Sequence, residues 1–333
     1  MTGAGNARRL GLAAALAAAA ALAFVLSDYR LFQVTLALIY AIAILGLNVL
    51  TGRCGQISLG HGAFYALGAY TAAILMDRAG VAYYLTLPVA FVVCLAVGFL
   101  FGFPAGRLRG HYLALATFAL AVSVPQILKY DPLEPWTGGV QGIFIFKPEA
   151  PFGLALSADQ WLYLFTLAVA VVAFALAHNL LRGRSGRAMA AIRTHLIAAE
   201  AMGVDTGLTK SLTFGVSAAY TGLAGALGAI AVEFVGPDSF GFLVSILFVI
   251  GMVVGGLGSI WGSVVGGLFI VFVPNLAEQV SKAAPWAIYG IFMIGMMYLM
   301  PKGAAGFVTM AGGRIARRLA RRAPAGPGPA ARP

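Results

Sequence analysis

Ten apolar blocks, most of them about 17–25 residues long, constrain this chain more than any other feature, because about 20 apolar residues in a helix cross a bilayer core of roughly 30 Å. They fall near residues 10–27, 31–50, 59–76, 83–104, 111–128, 158–181, 212–232, 241–256, 260–280 and 285–300. Inside hydrocarbon the backbone has to satisfy its own polar groups, which leaves helices or closed barrels. Blocks of this length predict an all-α polytopic transmembrane bundle of about ten spans. The least distinct spans are 59–76, which is glycine-rich, and the pair 241–256 and 260–280, which nearly fuse. Arg8 and Arg9 before an Ala/Leu run also fit the start of a secretory leader. We read that run as a retained first helix, since many further spans follow.

Composition agrees with one membrane domain rather than two soluble ones. Of 333 residues, 61% are hydrophobic and only 10% charged, against about 25% charged in an ordinary soluble domain. We divide the chain into a transmembrane domain over 1–303 and a basic tail over 304–333. The tail is rich in Arg, Ala, Gly and Pro, so it is expected to be disordered. Two long polar segments interrupt the spans: 129–157, rich in Pro and Gly, and 182–211, with five basic residues.

The net charge of +11 reads as topology rather than nucleic-acid binding. With both termini cytoplasmic, ten spans place 17 of the 22 basic residues on the inner side, as the positive-inside rule requires. Segment 129–157 is then an outer loop and 182–211 an inner one. Tyr83, Tyr84, Trp161 and Trp286 fall at predicted outer span ends, where amphipathic rings prefer the headgroup region. Glycine pairs four apart, such as Gly98/Gly102, Gly102/Gly106, Gly251/Gly255 and Gly262/Gly266, read as close helix packing.

No catalytic constellation stands out. The chain has no GK[ST] P-loop, and its four histidines (His61, His111, His178, His195) lack HExxH spacing. Cys54 and Cys94 make no metal pattern and no expected disulfide. Nearly every acid lies in a loop or at a span end, which counts against a proton-coupled carrier.

The densest polar signal is Thr51–Tyr65, with four glycines and several hydrogen-bonding side chains inside an apolar stretch. Irregular backbone at membrane depth survives only where protein or a water-filled cavity satisfies it. Gln56, Ser58, His61 and Tyr65 are therefore candidates to line a translocation path; the competing reading is a tight turn followed by close packing. A short echo, Gly52-x-x-Gly55-x-Ile57 against Gly255-x-x-Gly258-x-Ile260, suggests an internal two-fold repeat and adds Ser259 as a path candidate.

These segments resemble a known family. GLNVLTGRCGQISLGHGAFYALGAYTAAIL at 46–75, TGGVQGI at 137–143, GRAMAAIRTHLIAAEAMGVDTGLTKSLTF at 186–214 and GGLGSIWGSVVGG at 255–267 resemble, in order and spacing, the permeases of branched-chain amino-acid ABC transporters. The likeness covers roughly 35–300, and is greater to the subunit with the long outer loop. Cys54 departs from the family's usual small or polar residue.

The resemblance implies a non-catalytic permease subunit in a bacterial inner membrane, importing branched-chain or related amino acids by alternating access, with no cofactor. Its implied partners are a second homologous permease, two cytoplasmic ATP-binding subunits, a periplasmic solute-binding protein and membrane lipid, but no nucleic acid. It also implies relatives that carry urea or short amides. Within 182–211, residues 186–203 are expected to form a coupling helix that docks on an ATPase. Its good helix formers and a stripe of Met189, Ile192, Leu196 and Ala199 support a helix; Arg187, Arg193 and Glu200 add charge, and Gly203 suits the helix end. The rival readings are an ion-coupled secondary carrier and a membrane-embedded enzyme or scaffold.

Overall fold

The computed structural model describes residues 3–108, 110–151 and 156–280, with scattered positions from 287 to 306. The predicted span over 285–300 and the tail beyond 306 lie largely outside the described residues. In chain order the helices are α1 (Gly3–Val25), α2 (Asp28–Leu47), α3 (His61–Asp77), α4 (Tyr83–Ala105), α5 (His111–Leu128), α6 (Glu134–Thr137), α7 (Ala158–Arg182), α8 (Arg184–Thr194), α9 (Leu196–Ala201), α10 (Thr206–Val232), α11 (Phe242–Gly255) and α12 (Ile260–Val280). Nine of the ten predicted spans thus coincide with helices. Seven helical stretches are long and apolar enough to cross a membrane. Two others are shorter: the 17 residues of α3 and the apolar part of α1, Ala13–Val25.

Helix α10 is the centre of the bundle: 83% of its apolar window is buried, against 22% for α5 and for α7. Its small residues allow that position. A methyl group at Gly68 of α3 would strike the Gly222 carbonyl of α10, and one at Gly102 of α4 would come 2.8 Å from Phe214 Cβ. Helices α3, α4 and α10 therefore approach at backbone distance, where dispersion contacts accumulate. Helices α11 and α12 meet in the same way, Gly251 facing Gly266 and Gly255 facing Gly262. The short turn Gly256–Ser259 divides what the sequence nearly fused.

Each end of the bundle has its own chemistry. At one end Lys147 Nζ lies 3.1 Å from Asp159 and 3.9 Å from Glu233, and Lys129 lies 2.5 Å from Asp238. A two-residue antiparallel ladder pairs β1 (Ile143–Phe144) with β2 (Phe234–Val235). The TGG-x-x-G element shapes this loop: Gly138 and Gly142 adopt φ of 72° and 73°, and Thr137 Oγ1 donates to Leu128 O at 2.9 Å. Helix α7 starts here on a capping box, Ser157 Oγ accepting from Gln160 N and Gln160 Oε1 from Ser157 N. The opposite end carries Arg53, α8, α9 and Lys210, with Lys210 Nζ donating to Gly106 O at 3.4 Å.

Candidate functional site

After α2 the chain tightens into a π-helical turn, Asn48–Cys54, and then runs irregularly to Gly60. The polar groups of this segment and of the start of α3 are met both locally and by side chains from other helices. Leu59 N donates to Thr117 Oγ1 of α5 at 2.9 Å and Gly62 N to Ser245 Oγ of α11 at 2.8 Å. Within the segment, Thr51 Oγ1 donates to Gln56 O at 2.8 Å.

His61 begins α3 and is buried. Its Nε2 lies 2.7 Å from Ser217 Oγ of α10, and its Nδ1 lies 3.0 Å from Ser58 Oγ. Ser217 already donates its hydroxyl hydrogen to Gly46 O at 2.6 Å, so it accepts from His61. That assigns the ring proton to Nε2 and makes Nδ1 the acceptor for Ser58. One neutral chain of hydrogen bonds thus joins α2, the irregular segment, α3 and α10. Gln56 is also buried; its Nε2 donates to Lys210 O at 3.2 Å, while its Oε1 has no hydrogen-bond partner among the described residues. Tyr65 lies farther along α3, against Tyr40, Phe240 and Phe248 at ring separations of 5.5–6.3 Å.

Ser259 lies across the bundle in sequence but next to this segment in space. Asn48 Nδ2 donates to Ser259 O at 2.9 Å, and Asn48 Oδ1 accepts from Gly258 N at 2.6 Å. Weaker hydrogen bonds reach Gly256 O at 3.3 Å and Ser263 Oγ at 3.4 Å. Gly52 and Gly258 touch, since a methyl at Gly52 would come 2.5 Å from Gly258 N. The two members of the sequence echo therefore meet at one point. Asn48, Thr117, Ser217 and Ser245 were not singled out from sequence. Thr117 and Ser245 are lone polar side chains in apolar runs, and that isolation is the signal that marks them, whereas Ser217 sits among Thr213, Tyr220 and Thr221.

The 186–203 segment differs from the single helix expected. His195 is extended, φ −157° and ψ 106°, and its Nδ1 accepts from Ala198 N at 3.2 Å, so it ends α8 and caps α9. Gly203 follows α9 with φ 82°; its N–H donates to Glu200 O and that of Val204 to Ala199 O, which closes the helix end. The apolar stripe is already covered by this chain: Met189, Ile192 and Ala199 are buried with Val49 and Cys54, and Leu196 packs against them. Arg187, Arg193 and Glu200 are exposed, and Glu200 accepts from Thr206 Oγ1 at 2.7 Å. Ile197 and Met202 are 67% and 84% exposed.

Membrane-length helices packed around a hydrogen-bonded irregular segment define a multi-pass helical membrane protein. Among the described residues, no cluster of three or more His, Cys, Asp or Glu is placed to hold a metal. The chain belongs to the family of permease components of branched-chain amino acid transport systems, which it matches over residues 29–301. It is 34% identical to the high-affinity branched-chain amino acid transport system permease protein LivM of Escherichia coli, over 89% of this chain and 74% of that protein. It is 27% identical to BraD of Pseudomonas aeruginosa (69% of this chain, 79% of that protein) and 25% to LivH of E. coli (82% and 93%), both named as permeases of the same kind of system. No solved structure matches the chain.

Proposed function

We propose that this chain is a non-catalytic permease subunit of an ABC importer in a bacterial inner membrane, carrying branched-chain or related amino acids. It pairs with a second homologous permease, two cytoplasmic ATP-binding subunits and a periplasmic solute-binding protein. In this reading ten helices span the membrane, both termini are cytoplasmic, 129–157 faces out, and 304–333 is a basic inner tail. The likeness to LivM over most of the chain carries the proposal. The 17-to-5 division of basic residues supports the orientation.

Gln56, Ser58, His61, Tyr65 and Ser259 border the translocation path in this reading. Gln56 Oε1, unpartnered among the described residues, supports that placement, because a buried carbonyl left unpaired costs about 1–3 kcal/mol and needs a reason to persist. The coupling module is α8–α9. Its exposed side, with Arg187, Ile197, Glu200 and Met202 up to the Gly203 turn, meets the ATPase; Met189, Ile192 and Leu196 transmit the contact to the turn after α2.

The test is reconstitution of the chain with its co-encoded partners in liposomes, followed by uptake of labelled leucine, isoleucine, valine and urea. ATP-dependent uptake of the amino acids is expected. Uptake driven by an ion gradient without ATP refutes the importer class, and uptake of urea alone refutes the substrate class.

A further inference from the structure

The seat of Arg193 has a shape that a surface charge does not need. Its Nη1 donates to Gly52 O. A methyl at Gly55, where φ is 79°, would lie 3.2 Å from Arg193 Cγ. One at Gly258, where φ is 78°, would lie 3.1 Å from Gly52 O and 3.6 Å from Arg193 Nη1. The arginine stem thus crosses Gly55, and its head sits at the point where Gly52 meets Gly258. A side chain at Gly55 would crowd the stem, and one at Gly52 would strike Asn48 Oδ1 and Gly258 N, forcing apart the two turns on which the head rests. Arg193 makes no ion pair among the described residues, so its charge goes to the carbonyl. Below it Asn48 holds the same two turns together, and from the same helix Met189 and Ile192 cover Val49 and Cys54.

We infer that Arg193 is a positioning residue that fastens α8 to both glycine turns at once, so that α8 and the adjoining ends of α2 and α12 move as one piece during transport. The inference rests on the permease reading and adds that Arg193 works inward, on its own chain, rather than as a contact to the ATPase. A guanidinium suits the task, since its planar, delocalised fork spreads several donors over adjacent acceptors while a lysine offers one compact charge.

Cys54, buried under α8, reports on the fastening, and Cys94, buried between α4 and α10, serves as the control. The assembled complex is treated with N-ethylmaleimide, and alkylation of each thiol is followed by mass spectrometry. Loss of a hydrogen bond from a charged donor should raise the local opening that exposes Cys54 about tenfold in Arg193→Ala. Cys94 should not change, and Arg193→Lys should fall between. In liposomes, substrate taken up per ATP hydrolysed should fall about threefold or more in Arg193→Ala and recover partly in Arg193→Lys. An unchanged Cys54 rate, an equal rise at Cys94, or an unchanged uptake per ATP overturns the inference. If the parent complex shows no ATP-driven uptake, the importer reading fails instead, and the thiol arm still decides whether Arg193 fastens α8.

Discussion

Asn48→Ala tests how much the clasp between the two glycine turns contributes. The substitution removes two hydrogen bonds of good geometry, Asn48 Nδ2 to Ser259 O at 2.9 Å and Gly258 N to Asn48 Oδ1 at 2.6 Å. It also removes two long ones, to Gly256 O at 3.3 Å and Ser263 Oγ at 3.4 Å. Two considerations pull the magnitude in opposite directions. Side-chain hydrogen bonds between membrane helices average only about 0.6 kcal/mol, because the unfolded chain in the membrane finds other partners. A buried backbone group left without a partner costs about 1–3 kcal/mol. The second wins here. The groups facing Asn48 belong to a turn at a helix end, so in the unfolded state they reach water, whereas in the folded variant they are enclosed. We expect Asn48→Ala to lose about 2–3 kcal/mol in reversible SDS unfolding from mixed micelles. Asn48→Asp keeps the acceptor for Gly258 N but turns a carboxylate oxygen toward two carbonyls, so it should be no more stable than Ala. An alanine variant within about 0.5 kcal/mol of the parent, the range of an unremarkable surface change, refutes the reasoning. So does an aspartate variant more stable than the alanine one.

His61→Leu leaves the Ser58 hydroxyl without its acceptor while Ser217 keeps Gly46 O; we expect a stability loss of about 1–3 kcal/mol and a larger loss of uptake at normal protein level, and normal uptake would make the network packing alone. Gly68→Ala forces a methyl onto the Gly222 carbonyl, whereas Gly11 has open space around it; overpacking should cost Gly68→Ala about 1–3 kcal/mol or more in the same unfolding assay, with Gly11→Ala near neutral, and equal stability would contradict the close approach. Single cysteines at Val140, which is 68% exposed, and at Ala320 should react with an impermeant maleimide in whole cells at 140 only; the reverse pattern inverts the topology. Lys147→Met removes the ties to Asp159 and Glu233, so cleavage near 145–157 by an externally added protease should speed up, and an unchanged rate would mean that the β1–β2 ladder holds the loop alone.

The helices were legible because apolar length is a one-dimensional property: α2, α4, α5, α7, α10, α11 and α12 follow from counting residues. The glycine pairs were legible as packing for the same reason, although their partners were not. The sequence cannot tell that Gly102 meets Phe214 of α10 while Gly255 meets Gly262 across a turn. The 51–65 segment was legible as irregular, since glycines and polar side chains broke an apolar run, but its partners lie 58 to 183 residues away in Thr117, Ser217 and Ser245. Asn48 was missed because it lies just before that segment, in a run that reads as continuous helix. The 186–203 stripe was right in its periodicity and incomplete in its consequence. Period alone says that Met189 and Ile192 share a face, but not that the turn after α2 already covers it. His195 broke the helix because its ring could cap α9, an option that helix propensity does not record.

The two ends of the bundle are held by different forces, and this bears on which one opens more readily. The ties around Lys147 and Lys129 are ionic, and their acidic partners are partly or largely exposed, Asp238 most of all. Exposed pairs of that kind are worth about 0–1 kcal/mol each and weaken with salt. The ties around Asn48 and His61 are neutral and buried, and that of Arg193 runs from an exposed side chain to a carbonyl; all draw on backbone groups that cannot be left unpaired cheaply. On the proposed reading the first set faces out and the second faces in. The outer end can then yield to ordinary fluctuation or to a docking partner, while the inner end needs several hydrogen bonds to exchange together. A closure of that kind fits a transporter whose energy enters from the inner side, because α8 reaches the whole set through one arginine and two buried apolar side chains.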